Sequence, residues 1–317
     1  MSTMQQAADD YLALRRSLGY RLEAPGRLVG DFARYLDDLG LTHVTVDAAL
    51  WWATSPGGSP YWHWFRLSAV RGFAGYLHAF DDRHQVPPAD LLARRYQRPV
   101  PFLFTGADIA ALMKAAAERP ARLHALNCQA LIGLLAVTGM RPGEAYALDR
   151  DHVDLAHGRL SVVNGKYGKS RELALHPSTV IALQEYAEHR DYLCPRPAAP
   201  GFFVSLSGDR LHESNTDTAF RRLVGRGGLQ PRSARTRPTL KSLRHSFAVS
   251  TLIGWYRDGG DVNARLPLLS TWLGHVAPSS TYWYLQATPE LLGLAAARLG
   301  PAAGAGAGGG GGSGSRP

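Results

Sequence analysis

Two proline clusters, Pro87-Pro88 and Pro99-Val-Pro101, break the 317-residue chain into two stretches of unequal length. Proline has no backbone N–H and disfavours helix in the residue before it, so no regular helix crosses either cluster. The composition changes at the same place. Residues 1–100 hold eleven Arg, no Lys and ten acids, whereas residues 101–317 hold 24 basic and 16 acidic residues. Each stretch is long enough for its own core. The expected organisation is a helical domain over 1–98, a linker at 99–104 and a second domain over 105–299. Arg94, Arg95 and Arg98 make the break basic enough to lie along phosphates. The Ala/Gly/Ser-rich stretch 300–317 reads as a disordered tail, because it cannot bury enough apolar surface to order itself.

The first stretch reads as all-helical. Leu14, Leu18, Val29, Phe32, Leu36 and Leu39 recur about one helical turn apart over residues 5–40, with a break expected at Pro25-Gly26. Thr45 caps a short helix, and residues 61–80 carry Trp62, Phe65, Val70, Phe73 and Leu77 at helical spacing. Four of the seven tryptophans fall between 51 and 64; a small core is their expected place, with DNA contact by one or two as the alternative.

In the second stretch, Thr105 opens a helix and another runs from about Leu123 to Val137. Thr138-Gly-Met-Arg141-Pro-Gly-Glu144 interrupts it, and Pro142 suits the first turn of the next helix. Arg141 then sits at a helix N-terminus, where amides favour an anion; its plainer role is pairing with Glu144 or Asp149. Residues 159–164 and 170–175 alternate like paired strands. Gly165-Lys-Tyr-Gly-Lys169 joins them, so Lys166 and Lys169, two of only four lysines, stand at one hairpin tip. Lysines there serve solubility, or reach a DNA groove or donate a proton. A long helix carries Val180, Leu183 and Tyr186, and residues 201–211 read as a short extended pair. Lys241 and Arg244, three apart, share a helix face that Leu243, Phe247 and Leu252 hold against the domain. The fold class expected is mainly α with a small antiparallel β portion.

Charge narrows the function. The formal net charge is +9, and residues 221–257 hold nine Lys or Arg and no acid. That pattern is a solvated face or a polyanion surface, with nucleic acid ahead of membrane; Arg221, Arg222, Arg235 and Arg237 are the candidate contacts. No apolar run is long enough to span a bilayer, and no basic-then-apolar signal peptide opens the chain. Cys128 and Cys194 are far apart and read as structural thiols of a reduced, cytoplasmic protein. Twelve histidines raise the thought of zinc, but no metal-binding spacing accompanies them.

Near the end, Leu273-Gly-His275 precedes a polar turn, Pro278-Ser-Ser280, that can cap a helix carrying Tyr282 and Tyr284. A phenol is a poor nucleophile at its ordinary pKa of about 10 and needs nearby cations or a base.

Four islands now stand in order: Thr-Gly-Met-Arg-Pro-Gly-Glu, Gly-Lys-Tyr-Gly-Lys, Lys-Ser-Leu-Arg-His-Ser-Phe-Ala and Leu-Gly-His with its tyrosine. Over roughly residues 105–295 they resemble the tyrosine recombinases, the phage-integrase family of site-specific DNA recombinases. The first stretch is similar to that family's core-binding, SAM-like domain in size, position and helicity. The ending Thr-Tyr-Trp-Tyr-Leu with Ala-Thr-Pro-Glu-Leu is similar to integrases carried on bacterial transposons. The resemblance implies that Arg141 and Arg244 hold the scissile phosphate and that His275 hydrogen-bonds it. It implies Lys166 as the acid that protonates the leaving 5′ oxygen, and Tyr284 as the nucleophile forming a 3′-phosphotyrosyl link. Lys169 aligns with a DNA-contact position, and Glu144 with an acid that supports the first arginine. No metal or nucleotide cofactor is implied, since the covalent link conserves the bond energy.

Two features depart from or complicate the pattern. The family most often has His where Lys241 stands, which leaves the general base open, because lysine binds phosphate but is a poor base near neutral pH. Tyr282 is a rival phenol, although two residues of helix turn it about 200° from Tyr284, and the nine-residue spacing from His275 favours Tyr284. The expected activity is integration or excision of a mobile element, in a homotetramer on two duplexes with room for other recombinases, at the nucleoid. An accessory DNA-binding protein of the same fold and a type IB topoisomerase are the alternatives.

Overall fold

In the computed structural model, which describes residues 3–94, 100–165, 168, 170–233, 236–277, 279–286 and 288–298, the chain divides into two units, 1–98 and 99–317. Among the described residues, the first unit is built from α1 (Met4–Ser17), α2 (Glu23–Asp38), α3 (Val46–Thr54) and α4 (Pro60–His78). Thr3, Thr45 and Ser59 cap α1, α3 and α4, each accepting from an amide of the first turn that has no partner within the helix. The break between α1 and α2 falls at residues 18–22 rather than at Pro25-Gly26. Pro25 lies in the first turn of α2, where its missing N–H leaves no helical bond unmade.

The buried face of α1 is Met4, Ala8, Tyr11 and Leu12, while Leu14 and Leu18 are exposed. Val29, Phe32 and Leu36 are buried as expected, but Leu39 is not. Of the four clustered tryptophans only Trp52 is buried; Trp51 and Trp62 are exposed. Adjacent positions on a helix diverge by about 100°, so Trp51 and Trp52 cannot both face one core. Trp51 instead stacks on Tyr35, and the buried Arg66 lies 3.6 Å over the Trp52 ring.

The second unit begins with α5 (Gly106–Ala117), α6 (Arg122–Thr138) and the short α7 (Pro142–Tyr146). A three-stranded antiparallel sheet follows: β1 (Val153–Asp154), β2 (Arg159–Val162) and β3 (Arg171–Ala174), in the order β1-β2-β3. Leu160 pairs with Leu173 and Val162 with Arg171, so one face of β2 and β3 points into the core. Then come α8 (Pro177–Leu193), α9 (Glu213–Arg226), α10 (Leu240–Arg257), α11 (Val262–Leu273), α12 (Ser279–Tyr282), a 3₁₀ turn (Trp283–Gln286) and α13 (Pro289–Arg298). The fold is mainly α with a small antiparallel sheet, as the sequence pattern indicates. Residues 201–211 contribute only isolated bridges, Asp149 to Gly201 and Val204 to Arg210.

Residues 100–104, part of the expected linker, belong to the second unit. Phe102 and Phe104 are buried in its core, and the Phe104 amide donates to Ser246 Oγ at 2.7 Å. The main core joins α5, α6, α8, α9, the sheet and the start of α10. A second apolar cluster joins α10, α11, Tyr284 and Leu291. Cys128 and Cys194 are buried and unpaired, and burial raises the Cys128 thiol above its ordinary value. Lys166, Lys169, Arg235 and the tail at 301–317 lie outside the described residues. Among the described residues no helix is long and apolar enough to cross a membrane.

Candidate active site

The C-terminus of α11 collects three arginines from distant parts of the chain. Arg171 Nε donates to Trp272 O at 2.7 Å, Arg244 Nη2 to Leu273 O at 2.7 Å, and Arg141 Nη2 to Gly274 O at 3.1 Å. The last carbonyls of a helix lack intrahelical partners and carry the negative end of its dipole, so a guanidinium is the natural complement. Gly274 ends the helix at φ +65°, the left-handed conformation that glycine adopts without strain. The next amide, His275 N, donates back to Ser270 O.

Gly139 performs the same function at the end of α6, with φ +62°. Its carbonyl accepts from Arg244 Nη1 at 2.9 Å, and a Cβ there would collide with the Phe247 ring. Arg244 is thus clamped between the ends of α6 and α11 and is only 3% exposed. Burial, followed by repulsion from Arg141, lowers its pKa to about 10, so it stays charged at neutral pH. Two carbonyls use two of its five N–H donors. Lys241, one turn earlier on α10, is exposed, so of this expected helix face only Arg244 turns inward.

Glu144 organises the other side. Its carboxylate accepts from the Arg141 amide and Arg141 Nη1, both at 2.8 Å, and from Arg171 Nη1 and Nη2 at 3.1 and 2.8 Å. Burial alone would raise this carboxyl; the hydrogen bonds from Arg171 and Arg141 outweigh it and hold the group below its ordinary range. Arg141 therefore does pair with Glu144, while Asp149 takes Arg210 instead. Arg141 keeps 27% of its side chain exposed, against 10% for Arg171.

Tyr284 and His275 complete the cluster. The stretch after Gly274 is two short pieces rather than one helix, with Tyr282 ending α12 and Tyr284 in the 3₁₀ turn. Tyr282 is 51% exposed and Tyr284 only 3%, so the two phenols diverge as the sequence argument requires. The His275 ring lies nearly parallel to Tyr284, centroids 6.1 Å apart, and its Nδ1 is 2.7 Å from Thr281 Oγ1. Tyr284 Oη is 3.2 Å from His245 Nδ1, and Tyr284 acts electrostatically on Arg244. Arg141, Arg244, His275 and Tyr284 thus come from separate elements into one place. Among the described residues no group of three or more His, Cys, Asp or Glu could hold a metal ion.

Arg171, His245 and Thr281 were not singled out in the sequence. Arg171 had a readable signal: it is in phase with buried Leu173, so a charged residue occupies the inward face of a strand.

This constellation gathers arginines, a histidine and a buried tyrosine in one place on a mainly helical fold. The sequence profile of the phage integrase family matches residues 103–290, and the chain belongs to that family, the tyrosine recombinases. It is similar to a Sinorhizobium fredii (strain NBRC 101917 / NGR234) protein named as an integrase/recombinase, y4rB, at 40% identity, covering 94% of this chain and 98% of that protein. Tyrosine recombinase XerC of Rhodospirillum centenum (strain ATCC 51521 / SW) is 36% identical over 71% of this chain and 62% of its own length. Among solved structures, the XerH site-specific recombinase bound to palindromic difH substrate, a post-cleavage complex, shares the fold. Its TM-score is 0.66 at 19% identity, over 94% of this chain and 85% of that one. The protein is a site-specific DNA recombinase.

Proposed function

We propose that Tyr284 attacks a scissile DNA phosphate, forming a 3′-phosphotyrosyl link and releasing a 5′-hydroxyl, and that a 5′-hydroxyl of another strand later reverses the step. Arg141 and Arg244 hold the non-bridging oxygens, where planar guanidiniums fit a phosphate in two-point contact. His275 hydrogen-bonds the same phosphate, and Lys241 adds charge at the rim. Lys166 protonates the departing 5′ oxygen and Lys169 touches DNA beside it. Arg171 and Glu144 fix the Arg141 side chain without touching substrate. The first unit serves as the core-binding domain, and four copies act on two duplexes to integrate or excise a mobile element.

One observation carries this reading: the buried Tyr284 acts electrostatically on Arg244, which also feels Arg141 and is held by the carbonyls at the ends of α6 and α11. A phenol in that field is stabilised as it loses its proton.

The test is to incubate the protein with DNA spanning the ends of its own genetic element, denature, digest and sequence the peptide carrying nucleotide. Nucleotide on Tyr284 is expected. Nucleotide on Tyr282 would keep the enzyme class and move the nucleophile. No adduct, with nicked substrates also tried and DNA binding intact, would sink the proposal in favour of an accessory role.

A further inference from the structure

The proposed chemistry needs a group that takes the phenolic proton, and Lys241 is ill suited because a lysine ordinarily keeps its proton at neutral pH. His245 lies one position beyond Arg244 on α10, partly buried. Its Nδ1 is 3.2 Å from Tyr284 Oη, within the reach of a general base in a site without substrate. The imidazole also has packing partners on the same turn: its ring meets Trp283 edge-on at 5.5 Å and Tyr284 at 5.6 Å. Helix α10 is anchored on both sides of His245, through Arg244 on Gly139 and Leu273 and through Ser246 on the Phe104 amide. The nitrogen is therefore placed by a rigid element, not by a loop.

We propose that His245 is the general base of strand cleavage and the general acid of rejoining, a role that rests on Tyr284 being the nucleophile. With its proton on Nε2, His245 accepts at Nδ1 from the Tyr284 hydroxyl. As the Tyr284 oxygen bonds to phosphorus and the bond from phosphorus to the 5′ oxygen breaks, the phenolic proton passes to Nδ1. The leaving 5′ oxygen takes its proton from Lys166. In rejoining, a 5′-hydroxyl attacks and gives its proton back to Lys166, the bond from phosphorus to Tyr284 breaks, and the imidazolium returns its proton to the phenolate. Arg244, which Tyr284 influences electrostatically, His275, stacked on the phenol ring, and Lys241, one turn earlier on α10, are charged or titratable groups that bear on this pair. They stabilise the phenolate rather than receive its proton.

The experiment follows single-turnover cleavage against pH on DNA with a 5′-bridging sulfur at the scissile position, which leaves without an acid. What then remains is removal of the phenolic proton. For the unsubstituted protein the rate rises between about pH 5 and 8, where histidine changes charge. His245→Asn, whose amide still accepts a hydrogen bond but takes no proton, should lose that limb and fall by about 10²–10⁴-fold, with DNA binding retained. His245→Ala should be raised by added imidazole in proportion to its free base, which also shows that the variant is folded. Retention of the limb in His245→Asn, its loss in Lys241→Ala instead, or failure of imidazole to raise His245→Ala overturns the assignment. An unsubstituted protein that forms no adduct on Tyr284 overturns the nucleophile reading as well, and is told apart by that result.

Discussion

Arg171 closes both of its terminal nitrogens on the two oxygens of the Glu144 carboxylate, while its Nε reaches back to the Trp272 carbonyl. The same carboxylate binds Arg141, so a residue of the sheet sets the position of a residue at the start of α7. The pair is almost fully desolvated, at 10% and 6% side-chain exposure. Removing one partner of such a pair leaves the other buried with fewer partners, Glu144 with Arg141 alone and Arg171 with the Trp272 carbonyl alone.

Arg171→Ala is accordingly expected to lower stability by about 3–5 kcal/mol, measured by denaturant unfolding. Glu144→Ala should cost a comparable amount, and the double variant less than the sum of the two, because both single changes remove the same two-point contact. Strict additivity would mean that the fork is not a working contact. The depressed carboxyl also gives a sign to pH. Its stabilisation is complete above the ordinary carboxylate range of about 4.3, and is lost as pH falls through the lower folded value.

Much of this arrangement was legible in the residues, and what was not has a physical reason. Arg141, Arg244, His275 and Tyr284 stand in motifs whose Gly and Pro neighbours advertise helix ends, and the structure brings those ends together. Arg171 and His245 carry no such punctuation, and their roles appear only once β3 and α10 are packed against α11. Helix α9 leaves little apolar periodicity in the sequence, because only Phe220 and Leu223 of it are buried. The expected linker is shorter in the structure, because prolines mark where helix stops, not where packing stops. Phe102 and Phe104 lie beyond the last proline and still fill the core.

Gly274 and Gly254 make a contrast that tests the geometry of the α11 terminus. A Cβ on Gly274 would come within 2.9 Å of Arg171 Nη1, at a φ of +65°. Gly274→Ala should cost about 1–2 kcal/mol for the left-handed conformation alone, and should slow cleavage as Arg171 and Arg141 shift. Gly254, inside α10, has open space around the same position. Gly254→Ala should be neutral or stabilise by about 0.5–1 kcal/mol. Thermal unfolding of the two variants checks both, and equal effects would argue against the described chain path at Gly274.

Arg221, Arg222 and Arg237 are all exposed in the acid-free stretch. If they meet phosphates, Arg221→Ala with Arg222→Ala should flatten the dependence of log affinity on log salt by about 0.9 for each contact removed. The weakening should be similar on specific and unrelated duplexes, since phosphate contacts position without reading sequence. Fluorescence anisotropy over a salt series measures it. An unchanged slope would make this stretch a solvated face only.

The first unit contains a histidine whose charge opposes its fold. His84 is 6% exposed, and its Nδ1 accepts from the Val44 amide at 3.1 Å, a bond that requires an unprotonated nitrogen. Burial, then the nearby His43, push its pKa below the ordinary value; Asp81 pulls the other way, and Arg83 and His78 add to the lowering. The folded state therefore binds a proton less readily than the unfolded one. Its stabilisation is present above the ordinary histidine range of about 6.5, and declines as pH falls from there toward the lowered folded value. Hydrogen exchange over residues 41–46, corrected for the intrinsic pH effect, should show weaker protection at pH 5.5 than at 7.5. His84→Asn, whose side-chain oxygen can accept from Val44 at either pH, should flatten that difference. The same loss of protection in both proteins would place the sensitivity on another group, with His43 and its contact to Asp81 the next to vary.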